Sequence, residues 1–289
     1  MLRQKIYGFL KLTRFGVSLF GCIGLIVSGV IAGDLIDFQV EYLLAFFIVL
    51  ISASGSFAIN DYFDFELDKK NNRRDRPLAR GLISRKTALI TAILSFLIVI
   101  FLSFFLNLIA MILIFISLPL FYVYSMGLKK KLFIKNILIA YSYLSTIFLG
   151  SLIMDSYLEP LLIYYAIMGF IVGIANEILF DIADVKGDYS LGIETVSTKF
   201  GVKKAAQISI FFYITIIILD PLPFFIKIDQ RLYLDYLFLI LILIPVISYI
   251  ILSITLLKKQ TIEHVMKLRI KIFVIMQFGT ISYLIGVLI

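Results

Sequence analysis

One asparagine and three aspartates, Asn60, Asp61, Asp64 and Asp68, occur within nine residues in the stretch AINDYFDFELDKK. On a helix, Asn60, Asp64 and Asp68 recur every fourth residue and stack on one face, with Asp61 three positions before Asp64. About 120 residues later ANEILFDIADVKGD repeats the pattern, with Asp181, Asp184 and Asp188 at spacings of three and four. Glu177 lies one turn before Asp181, beside Asn176. Like charges at these spacings destabilise a bare helix, so something must compensate them. Mg²⁺ is well suited, because it prefers oxygen ligands, keeps several waters, and is commonly held by one or two carboxylates plus a phosphate. Two such helix ends facing one another would hold one ion or, as expected here, two, with a diphosphate between them. The candidate metal ligands are therefore Asn60, Asp61, Asp64, Asp68, Asp181, Asp184 and Asp188. The carboxylates outweigh the charge of two such ions, and basic side chains follow: Arg73, Arg74, Arg76 and Arg80 after the first motif, and Lys129, Lys130 and Lys131 further on. Arginine suits bidentate phosphate contact, whereas lysine acts as a point charge.

The elements that must position these groups are membrane helices. Of 289 residues, 61% are hydrophobic and 16% charged, against about 25% charged in soluble domains, which excludes a water-soluble globule. Apolar runs near 15–32, 43–59, 87–106, 108–124, 134–153, 161–180, 204–219, 236–257 and 271–289 are each long enough, or nearly so, to cross a bilayer. The expected fold class is thus an all-α integral membrane protein of nine transmembrane helices, with the third and fourth forming a hairpin at Asn107. No small-residue cleavage site follows the first run, which reads as a retained span. The single cysteine, Cys22, excludes a disulfide framework.

Lys and Arg are counted as 25 on one side of this topology and 2 on the other. By the positive-inside rule the N-terminus and both acidic motifs are cytoplasmic and the C-terminus lies outside, in a cell-membrane protein. The net charge of +8 is then a topology and lipid-surface signal, with no nucleic-acid partner implied. Each acidic motif follows the second helix of a four-helix half. The chain reads as one polytopic domain, 1–289, made of two pseudo-repeats (about 1–130 and 131–257) plus a last helix at 271–289.

An apolar bundle beneath an acidic, basic-rimmed mouth fits a lipid-soluble substrate with a diphosphate head. Metal and basic groups would stabilise the diphosphate as its bond to carbon breaks. An allylic cation left behind would need shielding from water and could meet aromatic faces, of which 27 Phe and 16 Tyr give many. Glu177 is an intramembrane carboxylate, costly unless it works. It is expected to orient an acceptor hydroxyl or take its proton.

The quoted motifs, NDYFDFELD with RDRPLARG, then YSMGLKKK, then DIADVKGD, resemble in order and spacing the UbiA superfamily of intramembrane prenyltransferases. The resemblance covers essentially the whole chain. It implies a helical bundle around a central cavity, Mg²⁺, and transfer of a prenyl group from its diphosphate to an acceptor. It also implies catalytic roles for Asp64, Asp68, Asp184, Asp188 and Lys129, to which the residue reading adds Glu177. Diphosphate contacts are implied for Asn60, Arg76, Tyr124, Ser125 and Lys129, with Arg74 or Arg73 filling the earlier arginine position. The chain departs from the family here: NRRDRPLARG has one residue more than the usual arginine-proline segment, and Arg80 stands where Ser is common. The tail GDYSLGIETVSTKFG resembles the branch that alkylates geranylgeranylglyceryl phosphate, together with chlorophyll synthases, more than the 4-hydroxybenzoate or haem O branches. The resemblance thus implies a prenyl diphosphate donor and a lipid-phosphate acceptor, archaeal ether-lipid synthesis, and no obligate protein partner. The alternative within the family is an aromatic or tetrapyrrole acceptor. A remote alternative outside it is a cation-coupled transporter, which would place its acids at the bilayer midplane in broken helices.

Overall fold

The computed structural model describes residues 2–35, 39–70, 73, 76–154, 157–190 and 192–289. Its helices, in chain order, are α1 (Leu2–Leu12), α2 (Phe15–Ala32), α3 (Val40–Lys70), α4 (Arg85–Ser103), α5 (Leu108–Met126) and α6 (Ile134–Leu152). They continue with α7 (Pro160–Ser190), α8 (Val196–Phe200), α9 (Val202–Leu219), α10 (Leu222–Phe225), α11 (Tyr236–Lys258) and α12 (Ile262–Leu288). No strand occurs among the described residues. Among the described residues, eight segments are long and apolar enough to cross a membrane, against nine expected. The one that falls short coincides with α6, where Lys135, Asn136, Ser142, Ser145 and Thr146 dilute the apolar run. The protein is a multi-pass, all-helical membrane protein.

The chain forms two compact units. The first comprises Met1–Gly29, Leu35–Leu128 and Leu149–Tyr157. In it, α4 starts at Ser84, whose hydroxyl accepts from the Thr87 amide, and α5 starts at Asn107, whose side chain accepts from Ile109 and Ala110. Asn107 also donates to the Leu152 and Ile153 carbonyls, so one residue makes the expected α4–α5 hairpin and ties it to the segment after α6. Leu12, Ala58, Ile59, Leu78, Ala88 and Ala92 form a buried cluster. Gly55 lets α3 approach α4 so closely that a Cβ there would lie 2.7 Å from Ser95.

The second unit comprises Val30–Asp34, Lys129–Phe148 and Leu158–Ile289. Its core gathers Ala175, Ile178, Leu179 and Ile182 of α7 with Ala205, Ile210 and Tyr213 of α9, Tyr249 and Leu252 of α11, and Leu268 and Ile272 of α12. At Gly173 a Cβ would lie 3.0 Å from the Ala140 Cα, so α6 and α7 nearly touch. The segment 220–235, for which the sequence suggests no role, is tied down by Arg231, which donates to both Asp229 oxygens and to the Ile31 carbonyl.

Helices α3 and α7 are each 31 residues long. At 1.5 Å per residue each extends about 46 Å, beyond the ~30 Å hydrocarbon layer. Their last turns therefore reach past the apolar layer, and those turns carry the two acidic motifs.

Candidate active site

In the first unit the chain after α3 folds back over its acids. Pro77 and Leu78 are buried, Leu78 within the cluster under α3 and α4, and the Arg80 amide donates to the Arg76 carbonyl. This turn sets Arg76 between two carboxylates: Nη1 lies 2.8 Å from Asp61 Oδ1, and Nε 3.6 Å from Asp68 Oδ2. Arg14, just before α2, adds a second guanidinium 3.4 Å from the same Asp61 oxygen and stacks over the Phe57 ring at 4.4 Å. Burial lowers the Arg14 pKa, as does Arg76; Asp61 and Tyr124 pull it back up. Asp61 is 2% exposed, and among the described residues its Oδ2 has no hydrogen-bond partner. Asn60 Nδ2 donates to Asp64 Oδ2 at 3.1 Å, orienting that half-buried carboxylate. Asp61, Asp68, Arg76, Asn60 and Asp64 are thus gathered in one place. Ser125 is buried, and its hydroxyl donates to the Phe121 carbonyl of its own helix. Arg74 lies outside the described residues; the Arg73 amide donates to the Asp68 carbonyl.

The second unit builds an analogous arrangement with a cation from the helix that precedes its acidic one. Lys135, in the first turn of α6, places Nζ 2.5 Å from Asp181 Oδ1 and 4.0 Å from Asp188 Oδ2. Its neighbour Asn136 donates to the other Asp181 oxygen at 2.9 Å. The close α6–α7 approach at Gly173 delivers this pair. Asp181 is fully buried and Asp184 exposed. Glu177 lies in the field of Lys135, Asp181, Arg269 and Asp184, while Arg269 stacks over the Phe180 ring at 4.5 Å. Asn176 is held in the core instead: it accepts from the fully buried Tyr213 hydroxyl at 2.8 Å. Lys129 sits half-buried in a short 3-10 turn, Leu128–Lys130, whose Lys130 carbonyl accepts from the Glu194 amide.

Sequence reasoning did not single out Arg14, Lys135 or Asn136. Lys135 and Asn136 are signalled by polarity at the start of an otherwise apolar run, and Arg14 by a charge next to the first span. Among the described residues no three His, Cys, Asp or Glu side chains converge as a metal cage. Mg²⁺ takes one or two carboxylates and completes its shell with water and phosphate. The residues present fit such an ion. In the first unit Asp61 keeps a buried oxygen without a partner among the described residues, on the helix that also carries Asp64 and Asp68. In the second, Asp184 is exposed, and the Lys135 ammonium lies 4.0 Å from Asp188 Oδ2.

Residues 17–275 match the UbiA prenyltransferase family. The chain is 33% identical over 221 residues to digeranylgeranylglyceryl phosphate synthase of Thermococcus kodakarensis, covering 76% of this chain and 78% of that one. It is 30% identical over 285 residues to the enzyme of the same name from Saccharolobus solfataricus, covering 98% of both. A solved digeranylgeranylglyceryl phosphate synthase superposes with a TM-score of 0.79 at 28% identity, over 98% of each chain. A UbiA homologue from Archaeoglobus fulgidus, solved bound to DMAPP and Mg²⁺, shares the fold with a TM-score of 0.68 at 16% identity, over 95% of this chain and 98% of that one. The chain is therefore a member of the UbiA prenyltransferase family.

Proposed function

We propose that the chain transfers a geranylgeranyl group from geranylgeranyl diphosphate to the free hydroxyl of geranylgeranylglyceryl phosphate, as a step of archaeal ether-lipid synthesis. The observation that carries this reading is the pair of carboxylate clusters, each pinned at its first and last aspartate by a cation. It is supported by relatives named digeranylgeranylglyceryl phosphate synthase over nearly the full chain.

Two divalent ions, when bound, would neutralise the diphosphate and help it leave. In this reading Asp64 and Asp184 are the outermost ligands, with Asn60, Asp61, Asp68, Asp181 and Asp188 as the remaining candidates. Arg76, Arg74, Tyr124, Ser125 and Lys129 contact the donor's diphosphate. Catalysis then rests on Asp64, Asp68, Asp184, Asp188, Lys129 and Glu177. The bond from the donor's C1 to diphosphate oxygen breaks, and diphosphate leaves with the electron pair. The acceptor oxygen bonds to C1, and its proton passes to Glu177. The surrounding apolar helices keep water from the allylic cation. The N-terminus and both clusters are assigned to the cytoplasmic side and the C-terminus to the outside, on the Lys/Arg asymmetry. The single 1–289 domain keeps its two pseudo-repeats in this reading.

The test is a transfer assay on purified protein with both substrates, with and without Mg²⁺, alongside Asp64→Ala and Asp184→Ala. Mg²⁺-dependent release of diphosphate with a doubly alkylated product, lost in both variants, is the expected result. Alkylation of an aromatic acceptor with none of the lipid phosphate would keep the donor chemistry and overturn the acceptor.

A further inference from the structure

The two clusters differ in how their first aspartate is satisfied. Both oxygens of Asp181 are engaged, Oδ1 by the Lys135 ammonium at 2.5 Å and Oδ2 by the Asn136 amide at 2.9 Å. Asp61, its counterpart, receives both guanidiniums on Oδ1 and keeps Oδ2 without a partner among the described residues. A carboxylate has about four lone-pair sites; Asp181 already uses one on each oxygen, the one on Oδ1 in a charge-assisted bond, and is itself fully buried. The same ammonium lies 4.0 Å from Asp188 Oδ2, so one lysine spans the first and last aspartates of the motif.

We infer that Lys135 is the resident cation of the second carboxylate cluster: Asp181 anchors the lysine and does not ligate a divalent ion, and an ion bound through Asp188 and Asp184 must share Asp188 with the ammonium. The inference rests on the reading that the ends of α3 and α7 take divalent ions, and it makes Lys135 a positioning residue. It has a structural cause. Asp181 is fully buried, and a buried carboxylate needs a close cation and full hydrogen bonding. Lys135 meets that need from inside the chain, so the cluster stays assembled before any metal arrives. The cost is repulsion between the ammonium and the incoming ion.

Mn²⁺ binding to the purified full chain in detergent, followed by the EPR signal of the free ion with no substrate present, tests this. Lys135→Met should bind Mn²⁺ on the order of tenfold more tightly, because a unit charge beside a ligand of the ion is gone. It should also gain more in melting temperature from Mn²⁺ than the unaltered protein does. Lys135→Met combined with Asp181→Asn removes a balanced charge pair and carries the test if the single variant does not fold. Its Mn²⁺ affinity should stay within about threefold of the unaltered protein, roughly half of the ~1.4 kcal/mol that each tenfold represents. A tenfold loss in the double variant would make Asp181 a ligand and overturn the inference. Equal binding by Lys135→Met and the unaltered protein would overturn it alone. Absence of Mn²⁺ binding in every protein would overturn the divalent-ion reading and this inference together.

Discussion

Helices α3 and α7 have the same length, begin 120 residues apart at Val40 and Pro160, and carry aspartates at 61, 64 and 68 and at 181, 184 and 188. The carboxylate register is thus identical in the two helices, whereas the neutralising chemistry is not. In the first unit the counter-charges are guanidiniums, one from the turn after the helix and one from the segment before α2. In the second the counter-charge is an ammonium on α6, the helix before α7, with a neutral amide donor beside it. Arginine's planar fork can reach two carboxylates with separate nitrogens, while lysine must divide one nitrogen between them. The common demand is therefore on where the carboxylates stand; any cation that bridges the first and last aspartate meets it.

The sharpest way to break this equivalence is to remove the middle aspartates. Asp64 and Asp184 are the more accessible member of each cluster, so Asp64→Ala and Asp184→Ala should leave the fold intact. Each should lower kcat/KM by about 10³-fold, comparable to losing a preorganised electrostatic contact to the leaving charge. Steady-state diphosphate release measures both. If either variant keeps more than a tenth of the activity, the two helix ends do unequal work.

Stability separates the clusters next. Arg76→Ala leaves Asp61 with Arg14 alone and removes the guanidinium beside Asp68. Breaking such a buried pair should cost about 3 kcal/mol, read as a lower melting temperature in detergent. Lys135→Ala leaves Asp181 with Asn136 and should also destabilise, so an Arg76→Ala protein that melts unchanged would show that the first cluster is held by Arg14.

The third contrast is a residue that one helix has and the other lacks. Glu177 falls at the position equivalent to Phe57, whose ring lies under the Arg14 guanidinium. Glu177→Gln keeps the shape and removes the proton acceptor. It should lower kcat by about 10²-fold, the typical contribution of a general base, with the donor KM unchanged. A donor KM that rises with unchanged kcat would instead place Glu177 among the binding groups.

Much of this was legible in the sequence because it depends on local pattern. Apolar run length, the Asp spacing and the hairpin at Asn107 are each set within a few residues. The partners of the buried aspartates were not legible, because Asp61 meets Arg14 across 47 positions and Asp181 meets Lys135 across 46. Such pairs depend on which helices pack closely, here fixed by Gly173 against Ala140. The length of the expected run matches α6, but the same polar start that supplies Lys135 and Asn136 makes that helix less apolar than the other eight candidate spans.

Asn176 gives the smallest and most discriminating test, because it stands beside Glu177 yet is held by the core. Its Oδ1 accepts from Tyr213, whose ring stacks on Tyr249 at 5.2 Å with an interplanar angle of 22°, and its Nδ2 reaches the Met276 sulfur at 3.1 Å. The equivalent position in α3 is Ser56, whose buried hydroxyl has no hydrogen-bond partner among the described residues. Tyr213→Phe keeps the stacked ring and deletes only the donor, leaving a buried amide oxygen unsatisfied. That should cost about 1 kcal/mol, seen as a modest fall in melting temperature, with kcat within about twofold because a core hydrogen bond of this size does not touch the reacting atoms. A tenfold loss of kcat with an unchanged melting temperature would move Asn176 from the scaffold into the chemistry, and would make the polar column of α7 functional one full turn deeper than the aspartates.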